Sequence, residues 1–311
     1  MKRKLGIDIG DGTIKFVFND NFLVIDTPEN AVSNGSLVTF EAMSDLLRET
    51  VKKNNIREKN VSLIIPDEDV FLNRLNMPYM NTKQLEVNLP YEFKELVGNK
   101  KDDYIYDYSI ISCNEKDGIE LLGAAVRKEL IDKYSDMFDK AGLRLVKAMP
   151  RQMAITNILL SKGLTSDIAL LDIGYNHVRV DIYKDGFYNA SRTLENGVLD
   201  MAKIASEILF CDKYTAFKYL KNNKMDVLSN PKMQEFYDDC AVRIARAINY
   251  YTYENRDNKL DTLYIYGGGS HYTGFVKAIS NASPIKCKLI SDLLNDNDLL
   301  DVLDAYGLNK E

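Results

Sequence analysis

The sequence predicts an α/β protein of two lobes on three observations. An apolar run ending in Asp-Ile-Gly occurs twice, as LGIDIGDGTIK (Leu5 to Lys15) and as LLDIGYNHVRV (Leu170 to Val180). In each copy alternating apolar positions resume after a short turn, the period-two pattern of a β-hairpin. Downstream, LYIYGGGSHYTGF (Leu263 to Phe275) runs from a strand pattern into three glycines and then into helical spacing. With 311 residues, 45% of them hydrophobic, the chain buries roughly three-quarters of its unfolded surface and divides into more than one lobe.

The first hairpin places Leu5, Ile7 and Ile9 on one face, turns at Gly10 to Gly12 and returns through Ile14, Phe16 and Phe18. Glycines at such a tip let backbone N–H groups converge on an anion, while Asp8 can hold Mg²⁺ through water and Lys15 supplies a point charge. A strand around Phe22 to Ile25 follows, then a helix with Phe40, Met43, Leu46, Leu47 and Val51 at helical spacing, then the strand VSLIIP, stopped by Pro66. Next come a strand near Phe71 to Leu75, a helix through Leu85 and Phe93, strands at Tyr104 to Ser112 and Glu120 to Val126, and a helix from Lys128 to Ala141. A helix from Gln152 to about Lys162 leads into the second hairpin, whose turn is Tyr175-Asn176-His177. The turn Lys184-Asp185-Gly186 opens the strand FYNASRTL, and helices are expected over Val198 to Leu209, Tyr214 to Leu220 and Phe236 to Tyr253. Ser270 is placed to cap the helix through Phe275, Val276 and Ile279. Tyr250, Tyr251 and Tyr253 are expected to pack against the sheet.

A net charge of −6 without a long basic run argues against nucleic acid or bare anionic lipid as the main partner. The start MKRKLGIDIG passes at once to Asp8 and so has no apolar core for a signal peptide. No apolar run approaches the roughly 20 residues that span a bilayer. Cys113, Cys211, Cys240 and Cys287 stand far apart, which favours reduced thiols with packing roles and a cytoplasmic location. His177 and His271, the only histidines, lack a neighbouring cysteine pair, and no metal beyond Mg²⁺ is expected. The Gly-Gly-Gly run by itself has the spacing of neither a dinucleotide fingerprint nor a P-loop.

In order and spacing, the two Asp-Ile-Gly hairpins and the strand-Gly-Gly-Gly-helix junction resemble the two phosphate motifs and the adenosine motif of the actin/Hsp70/sugar-kinase superfamily. Within it the chain is most similar to the PilM family of type IV pilus assembly, with FtsA as the nearest relative. LNMPYMNTKQLEVNLPYEFKELV (Leu75 to Val97) and ELLGAAVRKELIDKYSDMFDKAGLRLVKAMP (Glu120 to Pro150) carry that narrower likeness, through Met-Pro before a helix and through Ala-Ala-Val-Arg-Lys and Ala-Gly-Leu. The resemblance implies an actin-like (RNase H-like) two-lobed fold with an inserted 1C subdomain of the FtsA/PilM type. Residues 1–66 and 147–185 would form the N-terminal lobe (1A) and 67–146 the partner-binding insert. Residues 186–311 would form the C-terminal lobe (2A/2B), the last of them free to return to 1A. The ligand would lie between the lobes.

The resemblance further implies ATP and Mg²⁺ as ligands. The phosphates would contact Asp8, Gly10, Asp11, Gly12, Thr13 and Lys15 from the first hairpin and Asp172, Gly174, Tyr175 and Asn176 from the second. Gly197 and Arg246, with Gly267, Gly268, Gly269 and Ser270, would complete the nucleotide site, and Asp8 and Asp172 would hold the metal. Phe217 and Arg243 stand where relatives carry ribose-binding acids, so binding is expected to be weak. Ile155 falls where active members place a water-orienting Gln or Glu; Gln152 is the only local substitute, and hydrolysis at most slow is expected, with no catalytic residue assigned. The partner implied is the cytoplasmic tail of a PilN-like membrane protein, lying extended between the N-terminal lobe and the insert and giving indirect attachment to the inner face of the membrane. A filament-forming FtsA/MreB-like ATPase, with self-association, is one alternative, although the acidic LLNDNDLLDVLDAYGLNKE is not a basic amphipathic membrane helix. A small-molecule kinase is the other, against which the chain shows no separate substrate domain.

Overall fold

A computed structural model describes residues 4–19, 21–33, 35–296 and 299–310. The chain forms two compact units, 1–158 with 304–311, and 159–303.

In the first unit β1 (Lys4–Ile9), β2 (Thr13–Phe18) and β3 (Asn21–Asp26) form an antiparallel meander. The short pair β4 (Val32–Ser33) and β5 (Ser36–Leu37) leads to α1 (Phe40–Lys53) and β6 (Asn60–Ile65). Then follow β7 (Val70–Met77), α2 (Thr82–Glu92), α3 (Lys94–Val97), β8 (Tyr104–Asn114), β9 (Gly118–Arg127), α4 (Lys128–Lys140), β10 (Arg144–Pro150) and α5 (Arg151–Ser161). The main sheet has the order β10-β6-β1-β2-β3, with β6 and β10 parallel to β1. Its central strands are apolar on both faces because both are covered. Leu5, Ile7, Val61 and Leu63 are fully buried, and α1 turns Met43, Leu47 and Val51 toward them at helical spacing.

The insert is a smaller module between the fourth and fifth strands of that sheet. Its three strands pair antiparallel in the order β7-β9-β8. Asn81 and Gln84 close a reciprocal capping box at the start of α2, which lays Leu85 and Leu89 on a separate core with Phe93, Tyr104 and Leu121. The expected insert, 67–146, is too long at its far end. Tyr134, Met137 and Phe138 of α4 belong to the main-sheet core with Leu5 and Phe16, and β10 begins at Arg144.

In the second unit β11 (Ile168–Ile173), β12 (His177–Lys184) and β13 (Phe187–Glu195) form a second antiparallel meander. It is followed by α6 (Val198–Leu209), α7 (Lys213–Lys221), α8 (Pro231–Glu254), β14 (Thr262–Tyr266), α9 (Thr273–Ala282), β15 (Lys286–Leu289), α10 (Ile290–Leu294) and the first half of α11 (Leu299–Gly307). The sheet order is β13-β12-β11-β14-β15, with β14 and β15 parallel to β11. This repeats the first sheet strand for strand, so the duplicated Asp-Ile-Gly hairpin is the first two strands of a duplicated sheet. It also moves 168–184 out of the first lobe, where the expected range 147–185 had put them, since β11 and β12 pair with β13 and β14.

Two local expectations change. Ser270 lies in a single 3₁₀ turn, Gly268–His271, and α9 starts afterwards with Tyr272 in the N-cap position, so Ser270 caps nothing. Of Tyr250, Tyr251 and Tyr253, near the end of α8, only Tyr251 is buried, its hydroxyl accepting from Asn189 at 2.8 Å, while Tyr250 and Tyr253 are exposed. The end of the chain, from Asp304, belongs to the first unit. A Cβ on Gly6 would meet the Ala305 carbonyl at 2.6 Å, and Asn309 donates to the Val17 carbonyl at 3.2 Å.

Candidate functional site

The first hairpin is held by its own register. Asp8 faces Lys15 directly across β1 and β2, and the Lys15 Nζ donates to Asp8 Oδ2 at 2.7 Å, with both side chains largely buried. The turn between them is braced at every residue the sequence singles out. Gly10 N–H donates to the Thr13 carbonyl at 3.0 Å, and Thr27 donates its hydroxyl to the Gly10 carbonyl and its N–H to the Gly12 carbonyl. Asp11 accepts from the Gly35 N–H at 3.2 Å.

The second hairpin has the same plan. Asp172 faces Arg179 across β11 and β12, with Arg179 Nη1 3.7 Å from Asp172 Oδ2. Gly174 N–H donates to the His177 carbonyl at 2.9 Å, as Gly10 does to Thr13. The start of α6 then closes over the turn. The N–H groups of Gly197, Val198 and Leu199 donate to the carbonyls of Asn176, Gly174 and Tyr175. These are first-turn donors that a helix otherwise leaves for an anion, and here the turn uses them. A Cβ on Gly197 would come within 2.3 Å of the Tyr175 carbonyl, so this glycine serves turn packing. The Tyr175 ring meets Phe217 edge-on at 5.7 Å, which gives the aromatic in that position a partner on the hairpin turn.

Gly267 to Gly269 run against the same hairpin. Gly267 has φ +88°, and a Cβ there would lie 2.4 Å from Asp172 Oδ1; one on Gly269 would lie 2.0 Å from the Ile173 Cγ2. Gly268 faces open space. The Ser270 hydroxyl is buried with no hydrogen-bond partner. In this unit the structure therefore brings together Asp172, Gly174, Tyr175, Asn176, Gly197 and the Gly267 turn. Arg246 is exposed on α8, and Arg243 donates to Asn196 at 2.7 Å. His271 sits 2.9 Å from Asp301 at the surface.

Three arrangements escaped sequence reasoning. Alternation along the second hairpin gives Arg179 no role, although its offset of seven from Asp172 equals that of Lys15 from Asp8. Arg151 and Gln152, at the start of α5, both donate to Asp67 at 2.9 Å. Gln152 thus donates an amide N–H to Asp67 while its Oε1 is buried without a partner, and Ile155 is buried. Third, where the insert meets α4 the first unit holds a cavity of about 320 Å³ lined by Asp69, Val70, Phe71, Tyr104, Arg127, Leu130 and Lys133, among others. One carboxylate oxygen of Asp69, Oδ2, is buried there without a hydrogen-bond partner, and burial pushes the Asp69 carboxyl above its ordinary value.

Mg²⁺ fits this donor set poorly. Asp8 and Asp172 each already face a cation, and no cluster of three His, Cys, Asp or Glu side chains that could hold a metal occurs among the described residues. No helix among the described residues is long and apolar enough to cross a membrane.

No curated protein matches the chain. Among solved structures, the PilM-PilN type IV pilus biogenesis complex superposes with a TM-score of 0.80 at 16% identity, covering 98% of this chain and 97% of that one. An archaeal actin homolog, Ta0583, superposes at 0.53 with 13% identity, covering 98% of each chain. The activator of 2-hydroxyisocaproyl-CoA dehydratase from Clostridium difficile, with bound ADPNP, superposes at 0.51 with 11% identity, covering 99% of this chain and 94% of that one. The fold is actin-like. The family model described as type IV pilus assembly protein PilM matches residues 6–296, and the chain belongs to that family.

Proposed function

We propose that this chain is the cytoplasmic, nucleotide-binding adaptor of a type IV pilus or related secretion assembly, recruited to the inner face of the membrane by the cytoplasmic tail of a PilN-like protein. The observation that carries the reading is the cavity of the first unit. Val70, Phe71, Tyr104 and Leu130 give it apolar walls, and Arg127 and Lys133 flank them. An extended peptide suits such a site, since its apolar side chains fill the wall while its acidic or carbonyl groups meet Arg127 and Lys133. A related structure is a complex of PilM with PilN.

ATP is the second ligand of this reading, held in the second unit by the Asp172 hairpin and the Gly267 turn, and a protein of the same fold carries ADPNP. It serves as a stable ligand and not as fuel: an isoleucine at 155 cannot orient water, and Gln152, whose NH2 donates to Asp67, keeps its Oε1 acceptor buried away from solvent. Nucleotide and tail then influence one another only as far as each prefers one conformation of the protein. Flotation with anionic vesicles tests the adaptor reading. The protein floats with vesicles bearing a PilN-like partner and stays behind without it; equal flotation without the partner refutes indirect attachment.

A further inference from the structure

Both oxygens of Asp172 lie close against the protein. Oδ2 faces the Arg179 guanidinium at 3.7 Å, and Oδ1 lies so near the Gly267 backbone that a single added methyl group would overlap it at 2.4 Å. Both charged side chains are largely withdrawn from water, 12% exposed for Asp172 and 15% for Arg179. In such a setting opposite charges attract more strongly than at a free surface. Mg²⁺ asks for the reverse: near-ideal octahedral geometry, several retained waters and a carboxylate free to reach them. The arrangement is not an accident of one strand. Asp8 carries Lys15 at the corresponding register position of the first hairpin. Each copy of the motif thus supplies its own monovalent cation, seven residues after its aspartate.

Building on the nucleotide reading above, we propose that Arg179 takes the place of a divalent cation at Asp172, so that this chain binds ATP as the metal-free anion. Arg179 is then a specificity-determining residue: its charge balances Asp172, which otherwise repels phosphate, and withholds that carboxylate from Mg²⁺.

Calorimetric titration with ATP, in Mg²⁺ and in EDTA, tests this on the full chain and on Arg179→Ala, Arg179→Gln and Arg179→Lys, each checked for folding by thermal melting. The wild-type protein binds ATP with affinities that agree within about twofold in the two buffers. Arg179→Ala becomes dependent on Mg²⁺ by about tenfold or more, and Arg179→Lys, which keeps the charge, does not. If the alanine variant fails to fold, Arg179→Gln, which keeps most of the length and hydrogen-bonding capacity, carries the same expectation. Wild-type binding that tightens about tenfold with Mg²⁺ overturns the proposal and leaves the nucleotide reading standing. Neutral variants as indifferent to Mg²⁺ as the wild type also overturn it. Absence of ATP binding in both buffers for every protein refutes the nucleotide reading itself, and the proposal with it.

Discussion

Asp69 shows how one side chain can be kept at a cost to stability. Burial raises its carboxyl pKa, with only Ser36 and Arg127 acting against the shift. A carboxyl raised on folding favours the folded state while it is protonated, below its unfolded value near 3.8, and that contribution is lost as pH rises through the folded value. At neutral pH the buried carboxylate is therefore a liability. Asp69→Asn is expected to raise the melting temperature at pH 7, with the gain shrinking toward pH 4. Melting curves at the two pH values check this. Gly267 and Gly268 make a paired test at the same scale. Alanine at 267 must adopt φ near +88° and press on Asp172, costing about 1–3 kcal/mol in strain before any clash is counted. Alanine at 268 meets nothing within 4 Å, and its effect stays within about 0.5 kcal/mol. Denaturant titration separates the two.

The insert stands as an element with its own core, and Phe93, fully buried, sits at its centre with Leu85, Leu89 and Leu121. Phe93→Ala is expected to cost about 3–5 kcal/mol. The loss should appear as faster hydrogen exchange in β7 to β9 and α2 with β1, β2 and β6 unchanged, and tail binding should fall while ATP binding persists. Hydrogen exchange read peptide by peptide measures this. Elements were the most legible part of the sequence. Alternation marked both hairpins, and helical spacing found α1, α6, α7 and the body of α8, because those periods follow from which faces are buried. Membership was harder to read. The spacing of Tyr134, Met137 and Phe138 announces an apolar helix face but not which sheet it covers, and α4 was consequently placed in the insert. For the same reason β11 and β12 were set with the first lobe, since pairing with β14 joins residues far apart in the chain. The cation partners of Asp8 and Asp172 were legible in principle, because antiparallel register follows from the turn. Neither pairing is drawn from the sequence, where Lys15 is assigned to a phosphate and Arg179 has no role.

The molecule as a whole is a sheet plan used twice, β3-β2-β1-β6-β10 and β13-β12-β11-β14-β15, with the insert added to the first copy. Both units bury groups that ionise only at high pH. Burial pushes Cys240 from 9.0 up to about 12 and Tyr272 from 10.0 up to about 12, and it also raises Tyr134 and Tyr237. A raised value keeps the neutral form folded, so this stability is fully present below pH 9 and is lost as pH climbs toward 12. The melting temperature is expected to fall steadily above about pH 9.5 and to recover on return to neutral pH if unfolding is reversible. Calorimetric scans across that range test it.

The adaptor reading stands or falls on the cavity between the insert and α4. The most direct measurement is a fluorescence-anisotropy titration of the full chain with the cytoplasmic tail peptide of the PilN-like protein from the same organism, repeated with Phe71→Ala and Arg127→Ala combined. Both positions line the cavity, and Arg127 is exposed, so the double variant is expected to fold. Saturable binding that weakens by about tenfold or more in the double variant, corresponding to ~1.4 kcal/mol, is the predicted result. No binding to the wild-type chain, or equal binding to the folded double variant, contradicts the account.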